Sequence, residues 1–195
     1  AARALDQRLR GLEQHREQLH RGPALEREGL LEAGAKHVAF RRRLDLHLAA
    51  HHAREGFHAL YSLEKYRDSD RARVVAEAGI AAINEYWDPG RDWDYDRLER
   101  EHGLVLMRDQ PFMHGLARAI GPLVKYFRAT GYGPALELAT VLKDKCLAEV
   151  FEADGSYDLE RFGNHTHSTT CVMSSLAQLA DLTSDSALMQ RVKAF

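Results

Sequence analysis

The segment FGNHTHSTTC, residues 162–171, sets Asn164, His165, His167 and Cys171 among the hydroxyls of Thr166, Ser168, Thr169 and Thr170, just ahead of an apolar run. One short polar side chain is enough to cap a helix. A surplus of donors and acceptors is what a hydroxyl-covered ligand demands. A helix N-terminus also leaves backbone N–H groups unpaired at the positive end of its dipole, which suits a carboxylate. In an extended lead-in the side chains alternate, so His165 and His167 are expected on one side with Thr166 opposite. The plainer alternative is that Thr166 or Ser168 caps the helix while the others solvate its first turn. Two histidines so spaced would hold a metal if a third ligand such as His114 joined them. There is no HExxH or comparable frame, so neither a metal nor another cofactor is expected. A second group, His47, His51, His52 and His58, reads as surface or interhelical packing.

The elements that carry these residues repeat. From Phe112 the positions Leu116, Ile120, Leu123 and Phe127 advance by three or four up to Thr130-Gly131, giving one apolar helical face. Pro134 then falls in the first turn of a second helix, which runs on through Leu136, Ala139, Leu142, Cys146 and Val150. About 53 residues later the pattern returns: Val172, Leu176, Leu179 and Leu182 lead into Thr183-Ser184-Asp185, and Leu188 and Val192 open another helix. A weaker copy has a helix ending near Tyr66, a turn at Asp68 to Asp70 and a helix through Val75 and Ile83. Helical pairs at such a period bury their faces against neighbouring pairs, as in a solenoid or a closed ring. The turns within pairs are short. The connections between them, WDPGRDWDYDRLEREHG and EADGSYDLERFGNHTHS, are long and share one side, where function is expected.

Composition agrees with one all-α domain or a piece of one. The chain has 195 residues, 45% hydrophobic and 29% charged, with five prolines and a formal net charge of -2. Residues 1–35 read as lead-in helices and 36–195 as about three helical hairpins. Charges of both signs are interspersed, which argues against nucleic acid as a partner. The run Arg41, Arg42, Arg43 reads as a solvated helix face, and no apolar stretch of about 18 residues argues for a membrane span. Cys146 and Cys171 lack CxxC spacing, so a reducing, cytoplasmic setting is the expectation. The last helix has run about three turns when the sequence stops at Phe195, which reads as a fragment.

The two stretches RDQPFMHGLARAIGPLVKYFRATGYGPALELATVLKDKCLAEVF and GNHTHSTTCVMSSLAQLADLTSDSALMQRVKAF resemble the six-hairpin glycosidase superfamily. A helix, a TG turn, a helix with AL.LA, and then a polar helix start with histidine is similar to bacterial β-L-arabinofuranosidases and unsaturated glucuronyl hydrolases. The resemblance implies helical hairpins of an (α/α)6 toroid, here incomplete, since a whole ring needs about twice as many helices. It also implies a central funnel that binds saccharide and takes in Asp109 to His114 and Asn164 to Cys171. The zinc-binding cysteine motif of the arabinofuranosidase group is missing.

Cleaving a glycosidic bond calls for two carboxyl groups, one as acid and one as base or nucleophile. The resulting expectation is a glycoside hydrolase acting on an oligosaccharide or polysaccharide with a uronic or arabinose-like unit. Asp109, His165 and His167 would be catalytic, and Asn164, Ser168, His114, Tyr157 and Trp93 would bind substrate, Trp93 and Tyr157 by stacking. A polysaccharide lyase would use the same residues differently, with Asn164 on the uronate and His165 and Tyr157 exchanging the proton. A helical-repeat scaffold would leave the cluster as capping and the loops for another protein. An uncovered apolar seam would drive self-association into a homo-oligomer.

Overall fold

The computed structural model describes residues 52–106, 108 and 112–195. The lead-in helices expected over 1–35, together with His47, His51 and Asp109, lie outside the described residues. What is described is mostly helical, in agreement with the all-α expectation.

Three hairpins are present among the described residues. The first joins α1 (Ala53–Arg67) to α2 (Asp70–Tyr86). A short antiparallel pair follows, β1 (Trp87–Asp88) with β2 (Asp92–Trp93), in the register Trp87 to Trp93 and Asp88 to Asp92. Helix α3 (Tyr95–His102) comes next, and after it two 3-10 turns, Phe112–His114 and Leu116–Ala119. The second hairpin is α4 (Ile120–Thr130) with α5 (Gly133–Glu149). A Phe151–Tyr157 bridge and the single turn α6 (Leu159–Phe162) lead to the third, α7 (Thr166–Thr183) with α8 (Ser186–Ala194).

The turns inside the three hairpins are built alike. Each first helix ends on a residue in the left-handed region, Asp68 (φ 47°), Gly131 (φ 72°) or Ser184 (φ 55°). The next residue, Ser69, Tyr132 or Asp185, is extended and is the N-cap of the second helix. A left-handed residue closes the last helical turn, and the extended one reverses the chain at once. Ser69 accepts from the Ala72 N–H and Asp185 from the Leu188 N–H, so these caps are the short polar residues such positions favour. Tyr132 offers no such side chain, and there Pro134 in the first turn removes one of the N–H groups needing a partner.

The hairpins lie side by side, with α4 packed between α1 and α7, and α5 against α2. Arg191 of α8 donates to the carbonyls of Leu147, Phe151 and Glu152, satisfying acceptors at the end of α5 with a cation that also suits the helix dipole. Helices α1, α4 and α7 thus form one row, and α2, α5 and α8 a second. Both long connections, 87–119 and 150–165, run from the end of a second-row helix to the start of a first-row one, so they share the end at which α1, α4 and α7 begin.

The α-helix expected from Phe112 starts only at Ile120. Pro122 has no N–H to give to residue 118, so a regular helix cannot extend back through that turn. The preceding apolar residues keep their inward direction as 3-10 turns, with Met113, Leu116 and Ala117 buried.

Helices α4 and α7 meet at Gly121. A Cβ there would stand 2.7 Å from Ser175 Oγ and 3.3 Å from Ser175 Cβ, and Ser175 Oγ is itself committed to the Cys171 carbonyl at 2.7 Å. Gly121→Ala should therefore destabilise the chain by about 1–3 kcal/mol through overpacking. Adding Ser175→Gly should recover part of the loss, a coupling to be measured by urea unfolding of the two single variants and the double variant.

Candidate functional site

The polar cluster sits where the first-row helices begin. Helix α7 starts one residue earlier than an extended lead-in would allow, and neither Thr166 nor Ser168 caps it. His165 does: its Nδ1 accepts from the Ser168 N–H at 3.2 Å, while its carbonyl takes the N–H groups of Ser168 and Thr169. His167 lies in the first turn, so its position follows from helical rotation and not from strand alternation. Even so, the rings of His165 and His167 are 6.1 Å apart. The fourth residue on, Cys171, brings its Sγ to 3.6 Å from His167 Nε2, a contact between neighbours on one helix face.

His114 joins them from the first 3-10 turn, with its ring 5.0 Å from that of His165. Burial, the neighbouring His165 and the Arg118 guanidinium all push His114 below its ordinary value, opposed by a hydrogen bond to the Phe162 backbone. The ring is therefore held neutral, the form that can both donate and accept. Arg118 reaches across to α1. Its Nη2 meets Glu55 Oε1 at 2.7 Å and its Nη1 meets the His114 carbonyl at 3.3 Å, with the side chain 16% exposed. Burial would raise the Glu55 carboxyl, but its own backbone N–H, Arg54 and Arg118 outweigh burial and hold it below its ordinary range. Glu55 is a stable carboxylate. The beginnings of α1, α4 and α7 are thereby joined in one polar line through Glu55, Arg118, His114, His165 and His167.

Buried polar atoms that lack a hydrogen-bond partner are sparse in folded proteins because each one costs desolvation energy. Among the described residues the buried side-chain atoms without one are His114 Nε2, Arg118 Nε, Ser168 Oγ and Glu64 Oε2. The first three belong to this line of residues or to the turn His165 caps. Unmet hydrogen-bonding capacity is gathered at this end of the hairpins.

The other expected residues fall elsewhere or nearby. Asn164 is exposed beside the cap and its carbonyl takes the Thr166 N–H. Ser168 is 1% exposed, so it faces inward. Tyr157 packs with Phe151, Phe162 and Phe195, and its hydroxyl donates to the Phe162 carbonyl at 3.1 Å, the same residue that bonds His114. It braces the edge of the cluster. Trp93 is 9% exposed in the β-hairpin and lines a separate cavity of about 410 Å³ with Tyr86, Trp87, Asp92, Tyr95 and Arg108. Between the hairpin and the cluster lies Phe112, whose ring stacks on Trp87 two residues before His114. Sequence reasoning passed over Arg118 and Glu55. They are 63 residues apart and stand on ordinary helical positions, so only the packing of α1 beside α4 brings them together. No group of three or more His, Cys, Asp or Glu among the described residues is placed to hold a metal ion. Comparison of the chain with protein-family models, with curated proteins and with solved structures gives no match.

Two outcomes follow from the cap and from His114. His165→Ala should cost about 0.5–2 kcal/mol in unfolding free energy, and His165→Asn, which retains a capping acceptor, should recover most of it. Because the folded His114 ring is held below its ordinary 6.5, the unfolded chain takes up the proton first as the solution is acidified. Its contribution to stability is then full above about pH 6.5 and falls away as pH drops toward the folded value. Urea unfolding at a series of pH values should show that decline, and His114→Asn should flatten part of it. His58, lowered by burial, Lys125 and Arg54, supplies slope of the same sign.

Proposed function

We propose that this chain is a carbohydrate-active enzyme, a glycoside hydrolase built on part of an (α/α)6 toroid, and that the line from Glu55 to His167 is where its saccharide binds. The observation that carries the reading is the gathering of Glu55, Arg118, His114, His165 and His167 at the beginnings of the first-row helices. A saccharide brings many hydroxyls that both donate and accept, and it would meet Arg118, His114 and the first turn of α7 together. The two-row arrangement supports the toroid reading, with α1, α4 and α7 as the inner helices. So do Leu63, Tyr66 and Val74, which are 46%, 69% and 59% exposed on the first hairpin. They suit an apolar edge against which a further hairpin packs.

In hydrolysis the roles divide by charge. Glu55, kept ionised by Arg54 and Arg118, has the form required of a base or nucleophile. Asp109, five residues before His114, is the candidate acid. His165 and His167, with Asn164, orient the sugar, and a uronate carboxylate fits the Arg118 guanidinium and the start of α7. A lyase that exchanged its proton between His165 and Tyr157 fits less well, because the Tyr157 hydroxyl already donates to Phe162.

The test is incubation of the protein with uronate-containing and arabinose-containing oligosaccharides. New reducing ends without ultraviolet-absorbing unsaturated ends are expected, with activity lowered at least 100-fold in Glu55→Gln. Binding should be weakened in His165→Asn and His167→Ala variants of unchanged thermal midpoint. Unsaturated ends would favour the lyase. Absence of both binding and turnover across the panel would leave the cluster as a capping and bracing device in a scaffold.

A further inference from the structure

At the opposite end of the first row, beside the short turns, lies a groove of about 750 Å³ between α1, α4 and α7. Its charged lining is Lys65, Arg73, Lys125 and Arg128 against Glu64 and Asp68. The two carboxylates do not neutralise it evenly. Glu64, its side chain 7% exposed, receives both Nε and Nη2 of Arg73 on one oxygen, Oε1. Asp68 is 95% exposed and 3.7 Å from Arg73, so water screens that pair. Arg128 is met by Asp181 on α7, and Lys65 lies over the rings of Tyr61 and Tyr66.

Lys125 is left over. Between Ile120 and Tyr126 it is the one residue of α4 that is not buried, and its stem runs out between α1 and α7. Among the described residues it makes no hydrogen bond or ion pair, and its charge is felt at His58, whose ring it helps to hold below its ordinary value. Lys125 thus lines the groove with a half-buried stem and an ammonium committed to no partner, so it is free to receive an anion. Arg73, anchored by Glu64, still has its Nη1 donors uncommitted and is fixed in orientation, which makes it fit for a planar or tetrahedral oxyanion.

We infer that this groove is a binding site for a small organic anion, whose carboxylate or phosphate group sits between Lys125 and Arg73. The inference is independent of the saccharide reading, because the site shares no residue with the line from Glu55 to His167. The groove is larger than a single oxyanion needs, and the ring of Tyr61 and the Gln178 amide offer the remainder of a ligand an apolar wall and a polar one.

Isothermal titration with inorganic phosphate, with citrate and with neutral glucose tests it, on the whole chain and on Lys125→Met, which keeps the length and packing of the stem. Binding of phosphate or citrate, weakened at least tenfold in Lys125→Met and by raised salt, is the expected result, with glucose inert in this groove. Phosphate alone would mark a phosphorylated ligand, and citrate alone a polycarboxylate. A second readout is the His58 ring in a proton NMR titration, which should titrate at higher pH once an anion covers Lys125. His165→Asn should leave both readouts unchanged, so failure at the other end of the hairpins is told apart from failure here. No binding of either anion, or equal binding by Lys125→Met, would overturn the inference.

Discussion

Helix α4 is packed against α1, α5 and α7, and this enclosure governs everything else in the described chain. A helix so surrounded has to be apolar nearly all round. Ile120, Leu123, Val124 and Tyr126 meet that demand, each at most 1% exposed. It must also let a neighbour come close, which Gly121 does by offering no Cβ to Ser175. At about 1.5–3 kcal/mol for each large apolar side chain fully buried, this one helix accounts for a substantial share of what holds three hairpins together. Both polar sites are set by the same enclosure. The lead-in to α4 delivers His114 and Arg118 to one end, and Lys125 is the narrow opening left in its middle.

Polar groups at the start of the first row are held at a cost that packing elsewhere must offset. Arg118 Nε, His114 Nε2 and Ser168 Oγ are buried without partners, each a loss of about 1–3 kcal/mol relative to a satisfied group. The connections that place them are well braced. Asp94 and Asp158 cap their short helices, Lys145 ties the Pro89 carbonyl to α5, and Gly155 at φ 86° sits so close to the backbone of Ala194 and Phe195 that a side chain would collide with it.

The hairpins were legible in the sequence because their cause is local. Apolar spacing, a turn of two or three polar residues and a capping side chain are all written within a few positions, and RATGYGPALELA and DLTSDSALMQRV fold into the same left-handed and extended pair of residues. The start of α4 was misjudged because Leu116 and Ile120 keep an apolar period that 3-10 turns also satisfy, while the ban imposed by Pro122 acts four residues upstream. The histidine cluster was visible as composition. The cap fell to the ring nitrogen of His165, where short hydroxyls were the stronger local candidates. Partners such as Arg118 with Glu55 leave no trace along the chain, since a salt bridge between helices of different hairpins depends on register that only packing decides.

The two ends of one row of helices are free to carry polar residues of opposite preference. Stacked hairpins satisfy their apolar faces laterally, so the ends are freed from core duty and can accept polar residues without interrupting it. At the beginnings of the helices the exposed backbone N–H groups and the dipole favour acceptors and anions, and His165 with its neighbours occupies that position. At the far end the dipole reverses and favours cations, which suits Lys65, Arg67 and Arg128 in the last turns of α1 and α4. Lys125 stands one turn further in, where the dipole gives little. Helix polarity accounts for Lys65 and Arg128, and the Glu64 carboxylate accounts for Arg73; Lys125 is left, which is why it bears the weight of the anion assignment.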